Sequence, residues 1–188
     1  MGAKPFWGFS ELWDFSRPQT VKEKLENILL AYVLTLFWVA WVRNFQIAFG
    51  FGVAHGPDFL TQSVMWSLTK FSHSPLANFC DKVLWAPFSE TIMFVWGAYR
   101  LILAVESIPG YARKPWYLPL KIPVVVCSSM WFGWAHGPPA AIHIPLQGMY
   151  GLIWSWLYFK NNNSFWSVVT VHALWNFMLL AGLKLVMN

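Results

Sequence analysis

Long apolar runs separated by short polar breaks dominate the chain, and the runs are too long to be buried strands. From Ile28 to Phe49 almost every position is apolar, enough to cross a bilayer as a helix, with Arg43 and Asn44 near the far end. The next run covers residues 82–105 and contains Glu90. Pro109-Gly110, Arg113-Lys114-Pro115 and Pro119 then predict a basic loop. A further run from Ile122 to His136 is stopped by Gly137-Pro138-Pro139. Two more helices are expected at Ile142–Phe159 and Phe165–Val186, on either side of the polar turn Lys160-Asn161-Asn162-Asn163. Residues 55–80 are mixed, with Asp58, Lys70, His73 and Pro75, and predict a short interfacial or partial helix. The expected fold is an all-α polytopic transmembrane helix bundle with five spans, or six if 59–72 also crosses.

Residues 1–27 read as a polar and aromatic N-terminal segment, and 28–188 as the transmembrane domain. No secretory signal pattern is expected in the first segment. Thr20-Val21-Lys22-Glu23 matches a capping box, in which the threonine and the glutamate satisfy orphan backbone donors of a new helix.

Composition supports lipid as the surrounding medium. Only 11% of the 188 residues are charged, against 57% hydrophobic, too few to cover a water-facing surface. The 14 Trp residues fit the membrane interface. The net charge of +5 forms no basic stripe; its cations stand singly or in pairs beside apolar runs, as helix-end anchors do. Nucleic acid is therefore not an expected partner. If the Arg113/Lys114 loop and Lys160 mark the cytoplasmic side, Lys22 and Lys24 lie there too. Cys80 and Cys127 say little, and Cys127, in an apolar run, reads as a buried inert thiol.

Against this background a few polar residues stand out, because an ionisable group at the centre of a membrane helix costs about 2.5–3.5 kcal/mol on insertion scales. Glu90 lies in APFSETIMFVWGAY, and His136 closes SSMWFGWAH. His172 and Asn176, spaced i, i+4 in VTVHALWNFMLL, share one helical face, as do Phe132 and His136. Each alone could be a buried structural partner. Together, a carboxylate and an imidazole can polarise a water, while a second imidazole and an amide donate to an oxyanion.

The order of a glutamate helix, FxxxH, a glycine-bearing helix and HxxxN resembles the CAAX protease and bacteriocin-processing intramembrane endopeptidases, related to the type II CAAX prenyl endopeptidase. Glu90 matches the first glutamate of the first motif and Phe94 its aromatic; Thr91 stands for the second glutamate and Val95 for the arginine. Phe132 with His136, and His172 with Asn176, match the second and last motifs in full. Gln147-Gly148-Met149-Tyr150-Gly151-Leu152 resembles the intervening helix. The likeness covers a catalytic core at about residues 82–180.

The resemblance implies an intramembrane protease of the multi-pass, integral-membrane kind, in the cell membrane if prokaryotic. Glu90 and His136 would activate the attacking water, and His172 and Asn176 would stabilise the oxyanion. No cofactor is implied; zinc held by Glu90, His136 and His172 is the alternative, although no HExxH helix is present. The expected partners are the bilayer and a peptide or protein substrate at or in it, with or without a lipid modification. The alternative function is that of a non-catalytic relative acting as a membrane immunity or scaffold protein, which the Thr91 and Val95 departures favour. His55, in an FGxAHGP echo of the segment around His136, reads as structural. His143 is expected in a loop or at a helix start, and Gly133 and Gly137 read as a helix-packing pair.

Overall fold

A computed structural model of the chain describes residues 14–15, 18–49, 74–110, 117–137 and 140–187. Among the described residues every regular element is helical and no strand occurs. Helix α1 spans Val21–Phe49. Next come five segments, Pro75–Phe79, Cys80–Trp85, Ala86–Glu90, Thr91–Trp96 and Gly97–Glu106. The residues joining them keep right-handed helical backbone angles, so together they form one long helix, α2. Helices α3, α4 and α5 cover Tyr117–Ala135, Ala140–Lys160 and Phe165–Met187.

The predicted runs lie inside these helices except that His136 falls just beyond the end of α3, and the other differences are also at the ends. The capping box forms: Thr20 N–H donates to Glu23 Oε2 at 2.8 Å and Glu23 N–H to Thr20 Oγ1 at 3.2 Å, so α1 starts at Val21. Helix α3 begins at Tyr117, within the predicted basic loop. Pro119 is compatible with that start, because a proline in the first turn lacks only an N–H that has no helical acceptor there. Residues 59–72 and His55 lie outside the described residues.

Helix α4 is the centre of the bundle. Its Leu157 and Tyr158 pack with Ala31 of α1 and with Val168 and Val171 of α5, all of them 0–2% exposed. Glycine brings α3 against it. A methyl group on Gly133 would lie 2.7 Å from the carbonyl oxygen of His143 and the Cα of Ile144, so the two backbones touch there. Gly133 thus packs as expected. Gly137 instead turns the chain out of α3 at φ +97°, a left-handed conformation that suits glycine.

The α4–α5 turn ties one end of the bundle together. Buried Asn161 donates through Nδ2 to the Lys24 carbonyl and to Ser167 Oγ, at 3.1 and 3.0 Å, and accepts from Asn27 Nδ2 at 2.8 Å. Asn163 Nδ2 donates to the Tyr99 hydroxyl of α2 at 3.0 Å, and Lys160 Nζ to the Asp14 carbonyl at 2.9 Å.

Outward faces are apolar. Along α1, Val21, Leu25, Leu29, Val33, Phe37, Trp41 and Phe45 recur every fourth residue, and all are exposed. On α3, Ile122, Met130, Trp131 and Trp134 are exposed, and so is Cys127, which corrects the buried-thiol expectation. An apolar run does not imply protein burial when the surrounding medium is itself apolar. The stretches Val21–Val42 and Leu76–Val105 are long and apolar enough to cross a membrane; Ile122–Ala135 and Phe165–Ala181 are shorter apolar helices.

Candidate active site

Helix α2 is irregular on both sides of Glu90. Residues Cys80–Trp85 and Thr91–Trp96 are wound as π-helix, with the Ala86 N–H reaching back five residues to the Asp81 carbonyl and Gly97 N–H to that of Ile92. Such widenings recur at functional sites and cost regular hydrogen bonding. The first shifts the hydrogen-bond register past the Lys82 carbonyl: the Ala86 N–H goes to Asp81, and the following residue, Pro87, has no N–H to offer. Asn176 of α5 fills that place, its Nδ2 donating to the Lys82 carbonyl at 2.7 Å. Beside the second widening, Ser128 Oγ of α3 donates to the Phe94 carbonyl.

Between the two widenings, Glu90 presents its carboxylate to α5. Glu90 Oε2 lies 3.5 Å from His172 Nε2, longer than a formed hydrogen bond and within the range of unliganded catalytic pairs. His172 is buried and its ring lies 4.1 Å from that of Trp154, tilted by 32°. Glu90 and His172 both line a small cavity with Thr91, Phe94, Val95, Phe132, Gly151 and Trp154. It has room for about one water molecule.

Several polar atoms around the cavity have no hydrogen-bond partner in the protein although they are buried. They are Glu90 Oε2, Thr91 Oγ1, Trp154 Nε1 and His172 Nδ1. A buried polar group left unpaired costs about 1–3 kcal/mol. Four such atoms thus sit on residues that line one water-sized space.

His136 stands at the edge of this group. Its Nδ1 lies 2.7 Å from the Phe132 carbonyl, which is freed because the helix ends one turn later. A carbonyl can only accept, so Nδ1 carries the proton and Nε2 keeps its lone pair. Phe132 separates the two imidazoles, its ring centroid 4.6 Å from His136 and 6.2 Å from His172.

The structure thus brings Glu90 and His172 together, with His136 joined to them through Phe132. Asn176 is engaged with the α2 backbone through one amide proton. Two residues around the site, His143 and Trp154, were not assigned to it from the sequence. His143 is at the start of α4, as expected, but buried; it bonds Gln147 Oε1 through Nδ1 at 3.0 Å, and its ring stacks 6.4 Å from His136. Trp154 looks like any core aromatic in an apolar helix, and only the packing shows its unpaired N–H. Among the described residues no three His, Cys, Asp or Glu side chains are grouped so as to hold a metal ion.

An all-helical protein with apolar outer faces and an enclosed carboxylate–imidazole pair defines the class. Residues 72–178, more than half of the chain, match the family described as type II CAAX prenyl endopeptidase Rce1-like, and the chain belongs to that family of membrane endopeptidases. Comparison with curated proteins and with solved structures gives no match.

Proposed function

We propose that the protein is a multi-pass intramembrane endopeptidase that hydrolyses a peptide bond of a membrane-associated substrate with a water activated by Glu90 and His136. The observation that carries the reading is the Glu90–His172 pair, 3.5 Å apart, on a water-sized cavity lined by buried, unpartnered polar groups. Glu90 takes a proton from the water, with the Nε2 lone pair of His136 as the second acceptor. The water oxygen adds to the scissile carbonyl carbon and the carbonyl oxygen becomes negative. His172 and the remaining amide proton of Asn176 donate to that oxygen. Collapse breaks the C–N bond, and the proton held by the base moves to the leaving nitrogen.

Depth supports a membrane setting. Glu90 lies nine residues along α2 from Tyr99, which is tied to the α4–α5 turn, so it sits about 13 Å from that end of the bundle. The five helices, four of them with apolar outer faces around the central α4, are read as spans. The substrate is a protein or peptide at the bilayer, in keeping with a family of CAAX prenyl endopeptidases. Catalysis without a metal is part of the reading.

The test is proteolysis by the purified protein in nanodiscs on membrane-anchored peptides with and without a prenyl group. Cleavage that chelator leaves intact and that Glu90→Gln abolishes is the expected result. Cleavage surviving Glu90→Gln, or stopped by chelator and restored by zinc, overturns it.

A further inference from the structure

We infer that Trp154 is a further catalytic residue, its indole N–H donating a hydrogen bond to the oxygen that turns negative during hydrolysis. The inference deepens the endopeptidase reading and rests on it. The first observation is that Trp154 is 2% exposed, lines the cavity it shares with Glu90 and His172, and has Nε1 buried without a partner. Indole is a donor only, so no acceptor role competes. Buried tryptophans ordinarily find a partner for this group. A donor held unpaired beside the reacting groups is stabilised when negative charge develops next to it, which is how an oxyanion site lowers a barrier.

The second observation concerns the amide assigned to the same task. Asn176 has already placed one amide proton on the Lys82 carbonyl at 2.7 Å. At most one N–H of that side chain remains, and a site with His172 alone beside it is sparse. Trp154 restores a second strong donor, and its ring rests against His172 at 4.1 Å, fixing the imidazole and the indole as one unit. The ring also packs against Tyr150 at 5.8 Å and Phe132 at 5.6 Å, so the donor is preorganised.

The experiment replaces Trp154 by β-(3-benzothienyl)alanine, which keeps the bicyclic ring and exchanges the N–H for sulfur, and separately by phenylalanine. Both are compared with wild type and Glu90→Gln on the best-cleaved peptide, and each is titrated with the aldehyde of that peptide, or of a prenylated tetrapeptide if none is cleaved. The aldehyde hydrate stands in for the tetrahedral species. The expected result is a fall in kcat of about a hundredfold with KM within about twofold, the pattern of a lost oxyanion donor, and a matching loss of aldehyde affinity. Wild-type kcat in the benzothienyl protein overturns the indole's role and leaves the endopeptidase reading intact, provided Glu90→Gln is inactive. A wild type that neither cleaves nor binds the aldehyde overturns both.

Discussion

Asn176 donates to the backbone carbonyl of Lys82 at 2.7 Å, across the interface between α5 and α2. The bond is needed because Pro87 has no N–H with which the π-wound turn could satisfy that carbonyl. A residue matched to a catalytic motif is therefore also a strut for the helix that carries Glu90. Asn176→Ala should remove this hydrogen bond from a part-buried carbonyl and cost about 1 kcal/mol. Pro87→Ala restores an N–H, so the same Asn176→Ala change should cost less in that background. A double-mutant cycle by thermal unfolding in detergent measures the difference. Equal costs in both backgrounds would show that the carbonyl does not depend on the amide.

Contact between α3 and α4 depends on Gly133 having no side chain. A Cβ there would meet backbone atoms at 2.7 Å, which cannot rotate away as a side chain can. Gly133→Ala should push the helices apart and destabilise the protein by about 1–3 kcal/mol. Because His136 directly follows the end of α3, three residues after Gly133, cleavage should fall in the folded fraction as well. Gly110→Ala is the control: it strains a positive φ of 77°, but a Cβ there would meet nothing within 4 Å. Unfolding midpoints of the two variants, measured side by side, check the order; a Gly133→Ala midpoint equal to wild type would contradict the backbone contact.

How much of this was legible in the sequence follows from the range of each interaction. The capping box at Thr20 and Glu23 is local, and it forms as written. Apolar runs located the helices, since backbone hydrogen bonding and apolar side chains agree over each of them. The start of α3 was not legible, because Pro119 signals a loop and a helix first turn equally well. The exposed position of Cys127 was missed because apolarity alone does not place a residue in the core. Glu90, His172 and His136 were visible as polar residues in apolar helices. The offsets around Glu90 were not, because they depend on Asn176 and Ser128 from other helices. The unpaired Trp154 N–H likewise exists only once α4 is packed against α5.

Cys127 offers a probe of what surrounds α3. It shares an exposed face with Met130, Trp131 and Trp134. If that face meets lipid, a spin label at Cys127, with the exposed Cys80 replaced by serine, should collide more with oxygen than with a water-soluble nickel complex. The contrast should vanish when the protein is unfolded in denaturant. Dominant quenching by the nickel complex in nanodiscs would mean that α3 faces water, and the five-span reading would then fail.

The Asn161 hub predicts a stability effect separable from chemistry. Its side chain is 0% exposed and serves the Lys24 carbonyl, Ser167 Oγ and Asn27 Nδ2, joining α1, the α4–α5 turn and α5. Asn161→Ala removes all three bonds and leaves the buried Asn27 amide without this acceptor, while Ser167 Oγ keeps Ser164 Oγ, so it should cost about 1–3 kcal/mol. Asn161→Asp keeps the acceptor for Asn27 but loses both donors, and if ionised it buries a charge, so it should rescue little. None of the hub's atoms lines the cavity at Glu90. Both variants should therefore lose folded yield and thermal midpoint while kcat per folded molecule stays within about twofold of wild type, measured with active-site titration by a tight-binding aldehyde. A kcat that falls in step with stability would instead tie the turn to the position of α2, through the Asn163–Tyr99 hydrogen bond at 3.0 Å.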